Sequence, residues 1–78
     1  MPDEAETGAL DWTLTPKSTL SRFAYDKRKK VLTVEYRSSG YQYNFFDVPV
    51  EVFEQMKTTE FPGKIVLEIR LKYRWARV

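Results

Sequence analysis

Two clusters of cations stand out in this 78-residue chain as side chains whose type and spacing suit them to chemistry. Lys27, Arg28, Lys29 and Lys30 form an unbroken run, and Arg70, Lys72 and Arg74 alternate with apolar residues in "IRLKYRWARV", with Arg77 close behind. Ammonium and guanidinium groups in such numbers neutralise phosphate oxygens. If the second cluster is extended, its alternate residues fall about 6.6–6.8 Å apart on one face, a spacing compatible with tracking a sugar-phosphate chain. The competing reading is structural: four cations solvate a turn, and a charged ladder keeps an edge strand from aggregating.

The chain contains neither histidine nor cysteine. That removes imidazole and thiolate metal ligands, disulfides, a cysteine nucleophile and the commonest general base. No close pair of carboxylates offers a replacement, so no catalytic residue, metal or cofactor is expected and the chain reads as a binding module, not an enzyme. No apolar run approaches the roughly 20 residues of a membrane span, and the N-terminus lacks the basic start and apolar stretch of a signal peptide. The expectation is a soluble, cytoplasmic protein with no membrane partner.

Charge is unevenly spread. Asp3, Glu4, Glu6 and Asp11 lie in the first 16 residues with no Lys or Arg, so the remaining 62 carry 13 basic against 7 acidic groups, a net charge of +6. Residues 1–16 are therefore expected to be a flexible acidic segment able to compete with an anionic ligand, or an arm packed through Trp12 and Leu14. Residues 17–78 are expected to be one domain. A core of that size stabilises by only about 3–5 kcal/mol, so most large apolar residues must be structural.

These elements must hold the cations in place. "STLSRFAYD" reads as a first strand, and in "KVLTVEYR" Leu32, Val34 and Tyr36 alternate with Thr33, Glu35 and Arg37. "YQYNFF" sets Tyr41, Tyr43 and Phe45 on one face, Gln42 and Asn44 on the other. A two-residue loop at Ser38–Ser39 pairs Tyr36 with Tyr41, Val34 with Tyr43 and Leu32 with Phe45, making one face wholly apolar. A loop over Asp26–Lys29 places Phe23 opposite Leu32. "DVPVEVFEQMK" reads as a helix capped by Asp47, with Val52, Phe53 and Met56 on the side that covers the aromatic face.

Two alternatives remain for the last segment. Extended throughout, it places Ile65, Leu67, Ile69, Leu71, Tyr73 and Trp75 in the core with Arg70, Lys72 and Arg74 outward. Otherwise a short helix at 64–70, joining Ile65 and Ile69, precedes a strand at 72–78. Alternation over 11 positions favours the extended form, most firmly from Leu71 onward.

The order of "AYD" before a turn, "VLTVEYRSSG", an aromatic strand running into "FDVPVEVFEQM", and a closing "IRLKYRWARV" resembles the KTSC domain, a module found at the C-terminus of some lysyl-tRNA synthetases and as a stand-alone bacterial protein. The likeness spans residues 17–78. The family's Tyr-x-Tyr motif, counted back from Val48-Pro49, falls on Tyr43-Asn44-Phe45, with Phe45 replacing the second tyrosine; a shifted register would put it on Tyr41-Gln42-Tyr43. The resemblance implies an accessory module for which RNA binding is suggested by the proteins it accompanies.

The fold expected is α+β: a three-stranded antiparallel meander covered by one helix, plus a C-terminal strand with or without a short helix before it. The partner expected is RNA, tRNA-like in kind, held by Lys27–Lys30 and by Arg70, Lys72, Arg74 and Arg77. The alternative is a protein-interaction module or small inhibitor docking through an exposed sheet edge. Tyr41, Tyr43 and Phe45 are expected in the core, while Phe46 and Trp75 are the better candidates for stacking on bases.

Overall fold

A computed structural model describes residues 12–15 and 18–78. Five strands form one antiparallel sheet in sequence order: β1 (Thr13–Leu14), β2 (Leu20–Asp26), β3 (Val31–Tyr36), β4 (Gln42–Phe45) and β5 (Trp75–Arg77). Two helices, α1 (Val50–Thr58) and α2 (Pro62–Lys72), lie between β4 and β5 in the chain. The architecture is α+β, a meander with helical cover and a C-terminal strand. Of the N-terminal segment, residues 1–11 and 16 lie outside the described residues. Thr13 and Leu14 pair with Phe23 and Arg22, so β1 is one edge of the sheet.

The β3–β4 hairpin has the register that the apolar pairing demands: Leu32 opposite Phe45, Val34 opposite Tyr43, Thr33 opposite Asn44 and Glu35 opposite Gln42. Tyr36 donates its N–H to the Tyr41 carbonyl, and Gly40 closes the turn at φ 75° with its own N–H on the Tyr36 carbonyl. The β2–β3 register differs from expectation by two residues. Phe23 faces Val34 and Tyr25 faces Leu32, because the loop is Lys27–Lys30. Asp26 ends the strand: its carboxylate accepts the N–H groups of Arg28 and Lys29, and Lys30 turns the chain at φ 57°. A shift of two preserves which face each side chain meets.

Asp47 does not cap α1. It adopts a left-handed φ of 58°, and Pro49, extended, occupies the N-cap position. The residue before a proline is driven out of the helical region, which delays the helix to Val50. On α1, Met56 is buried and Val52 and Phe53 are half-buried against the sheet. The Phe53 ring stacks on Tyr25 (5.0 Å between centroids) and meets Phe23 edge-on.

The extended reading of residues 64–70 is overturned: this stretch belongs to an 11-residue helix, as the rival reading had it, and the helix runs on through Lys72. Pro62 sits at the first helical position, where its missing N–H costs nothing. Pro62, Val66 and Ile69, at helical spacing, face the core. Ile65, Ile69 and Tyr73 are four apart, a spacing that satisfies both a period of two and a helical face, so they could not discriminate. Leu67 and Leu71 could, and they are 59% and 89% exposed, not buried. The core is Leu20, Phe23, Leu32, Val34, Phe45 and Val48 from the sheet side, closed by Met56, Val66 and Ile69. Burying each such side chain is worth about 1.5–3 kcal/mol.

Candidate nucleic-acid interface

The structure divides the expected cationic row. Lys27, Arg28, Lys29 and Lys30 form the exposed β2–β3 turn, as read from the sequence. Arg70 and Lys72 lie on α2, Arg74 lies in the link to β5, and Arg77 lies on β5. They do not form a ladder on one strand, because the helix rotates successive residues by about 100° where a strand alternates them.

Three of these arginines each lie over an aromatic ring. Arg70 is 5.6 Å from the Trp75 ring centroid, Arg74 is 5.2 Å from that of Phe46, and Arg77 is 4.4 Å from that of Tyr41. Each contact is worth about 0.5–1 kcal/mol at an exposed site, enough to orient a guanidinium while leaving donors for a ligand. Arg22 also lies over a ring, 4.0 Å from the Trp12 centroid, but an ion pair at 3.0 Å ties it to Glu35, and Arg37 donates to the carbonyls of Thr15, Ser18 and Leu20. They tie the sheet together.

Backbone bonds place the basic turn and Arg74 near the same end of β4, from which β5 runs along the sheet edge. The Val48 N–H donates to the Lys30 carbonyl at the basic turn, and two residues earlier the Phe46 N–H donates to the Arg74 carbonyl. From there β5 runs antiparallel to β4, pairing Trp75 with Phe45 and Arg77 with Tyr43, until Arg77 reaches Tyr41 at the far end. β5 is the last strand of the sheet, with all three of its residues exposed. Trp75 and Arg77 point to the helix-covered face, and Arg74 with Phe46 belongs to the other.

The motif residues have distinct tasks. Phe45 and Val48 are buried, and the Val48 carbonyl accepts the hydroxyl of Tyr25. Pro49 starts α1. Tyr43 is half-buried, with its ring edge-on to both Tyr36 (5.4 Å) and Trp75 (5.5 Å). Of the three aromatics expected in the core, only Phe45 is fully there, and Tyr41 is 50% exposed. The reason is coverage: α1 packs on β2, and α2 leaves part of β4 open.

That opening is a groove of about 550 Å³ between α2 and the β3–β4–β5 side of the sheet. Tyr36, Tyr43 and Trp75 line it from the sheet; Lys64, Leu67 and Arg70 line it from α2. Ser18, Thr19, Ser38 and Ser39 bring hydroxyls to its rim. Arg70 sits beside the Tyr36 hydroxyl, whose pKa burial nevertheless raises above 10.0. Sequence reasoning read the serines only as turn and strand-start residues. The available signal was the helical spacing of Lys64, Leu67 and Arg70, which the period-two reading hid.

Among the described residues, no group of three or more acidic side chains is placed to hold a metal, and no helix is long and apolar enough to cross a membrane. Residues 17–72 match the KTSC domain. This chain belongs to the KTSC domain family. A crystal structure of a KTSC domain protein from Yersinia pestis shares the fold, with a TM-score of 0.80 at 18% identity over 90% of this chain and 99% of that one. No curated protein sequence matches the chain. Within this KTSC domain the family match takes in the basic turn, Tyr43 and Arg70 and ends before Arg74, Trp75 and Arg77.

Proposed function

We propose that this KTSC domain is a non-catalytic, cytoplasmic module that binds single-stranded RNA along its β4–β5 edge, with the Lys27–Lys30 turn as a further phosphate contact. The carrying observation is the series of arginine–ring contacts at Arg70–Trp75, Arg74–Phe46 and Arg77–Tyr41. Proteins that hold single strands combine a cationic track with aromatic and guanidinium planes on which bases stack. Here both kinds of group occur in pairs along one edge, and the net charge of +6 on residues 17–78 favours an anionic partner.

The test is fluorescence anisotropy of a labelled single-stranded RNA at about 50 and 200 mM salt, the range over which phosphate contacts lose affinity steeply. Binding that weakens with salt, and weakens further in Arg74→Ala/Arg77→Ala, supports the reading. A second reading rests on β5 itself, an exposed end strand beside exposed Trp75 and Val78, which suits addition of a strand from a protein partner or an inhibited target. RNA binding absent at both salt concentrations would favour it.

A further inference from the structure

We propose that the groove beneath α2 is a subsite for a single nucleotide: an unstacked base lies against Trp75 and Tyr43, and its phosphate is held by Arg70 and Lys64. The inference deepens the RNA-binding reading and rests on it for the biological ligand, but the groove's chemistry can be tested alone.

Size comes first. About 550 Å³ falls within the roughly 300–1,000 Å³ of small-ligand sites. Its aromatic surface is accessible, since Trp75 is 42% exposed although its ring belongs to the covered face of the sheet. The Arg70 guanidinium lies 5.6 Å from the centre of that ring, which puts the charge that would hold the phosphate next to the indole against which the base would lie.

Charge and hydrogen bonding narrow the ligand class. Lys64 and Arg70 outnumber Glu60, the carboxylate in the lining, so the groove carries net positive charge suited to one phosphate. Ser18 Oγ accepts the Leu20 N–H and Ser39 Oγ accepts the Tyr41 N–H, which fixes both oxygens and leaves their hydroxyl hydrogens to donate. Such donors suit base carbonyls and ring nitrogens. A purely apolar ligand would strand these hydroxyls, and a bare anion would leave the rings unused.

The experiment titrates AMP, adenosine and an acidic peptide into the full chain carrying Trp12→Phe, where Trp75 is the remaining indole. The expected result is saturable quenching by AMP, weaker binding of adenosine by about tenfold or more for the lost charge-assisted contacts, and Arg70→Ala binding AMP with a reduced advantage over adenosine. Circular dichroism and the melting curve of Arg70→Ala establish that it is folded, and Lys64→Ala provides an independent exposed variant with the same expected direction. No saturable quenching by AMP, quenching by the peptide alone, or an unchanged AMP affinity in both variants would overturn the assignment. Arg74→Ala/Arg77→Ala is expected to weaken RNA and leave AMP unaffected. RNA binding without an AMP response would sink the groove subsite alone; AMP binding without RNA binding would sink the edge reading alone.

Discussion

The two helices cover the same face of one sheet to different extents. Under α1, Phe53 lies against Phe23 and Tyr25, Met56 is buried, and the Tyr25 hydroxyl is fixed on the Val48 carbonyl. Under α2, Val66 and Ile69 reach the core, but Lys64, Leu67 and Arg70 stand over a groove, and the rings beneath them remain partly accessible. A small domain has few large side chains to spare for anything but its core. Rings left open on the α2 side, with cations beside them, are therefore the better candidates for function, and the fully buried side chains under both helices are the source of stability.

That contrast breaks most visibly under truncation. Phe23→Ala, at a fully buried position, is expected to cost about 3–5 kcal/mol, comparable with the stability of the whole domain, so equilibrium denaturation should find it largely unfolded. Trp75→Ala is expected to cost much less, about 1–2 kcal/mol, because 42% of that side chain's residue is already in water. Equal losses would erase the distinction between the two sides.

Tyr25→Phe should cost about 0.5–1.5 kcal/mol by removing the donor to the Val48 carbonyl, read as a shift in the urea midpoint. The same hydroxyl titrates. Burial, with smaller contributions from Glu51 and Asp26, raises its pKa above 10.0, and burial likewise raises that of Tyr36. Both keep their protons in the folded chain where the unfolded chain has lost them. Their contribution is complete below about pH 10 and is lost as pH rises beyond it. The urea midpoint should therefore decline above that pH, and the decline should be shallower in Tyr25→Phe. At the acid end, hydrogen bonds from Gln42, Ser21 and Arg22 hold the Glu35 carboxyl below its usual value of 4.5, so its contribution is lost as pH falls below that value.

The smallest effect is expected at Gly63. An added Cβ would lie 3.4 Å from Thr19 Oγ1, at ordinary contact distance, and alanine is favoured in a helix by about 0.5–1 kcal/mol. Gly63→Ala should leave the melting temperature unchanged or slightly raised, while the added methyl narrows the groove. Loss of the fold would mean that α2 is seated more tightly than its open side implies.

The β3–β4 hairpin and α1 could be read from the sequence because their signals agreed. The β3–β4 pairing was specified by apolar residues on one face and polar residues on the other, and Val52, Phe53 and Met56 had one periodicity available to them. The α2 side was obscured because Ile65 and Ile69 fit both a helix and a strand; Leu67 and Leu71, which looked like core residues, turned out to be the exposed ones. The cations at Lys27–Lys30, Arg70, Lys72, Arg74 and Arg77 were identifiable by type. Their pairing with Trp75, Phe46 and Tyr41 was not, since it depends on where a helix ends and a three-residue strand begins. The groove was hidden for the same reason: it exists only once Lys64, Leu67 and Arg70 are placed on a helix.

The open rings along β4 and β5 bind, and the buried core under both helices holds the fold. A ¹H–¹⁵N spectrum of the full chain titrated with single-stranded RNA reads both at once. Shifts are expected at Gln42–Phe46 and Arg74–Arg77, extending to the Lys27–Lys30 amides, with Val52–Met56 of α1 unmoved. Shifts centred on Val52–Met56, or none anywhere at RNA concentrations well above those of the protein, would contradict that assignment.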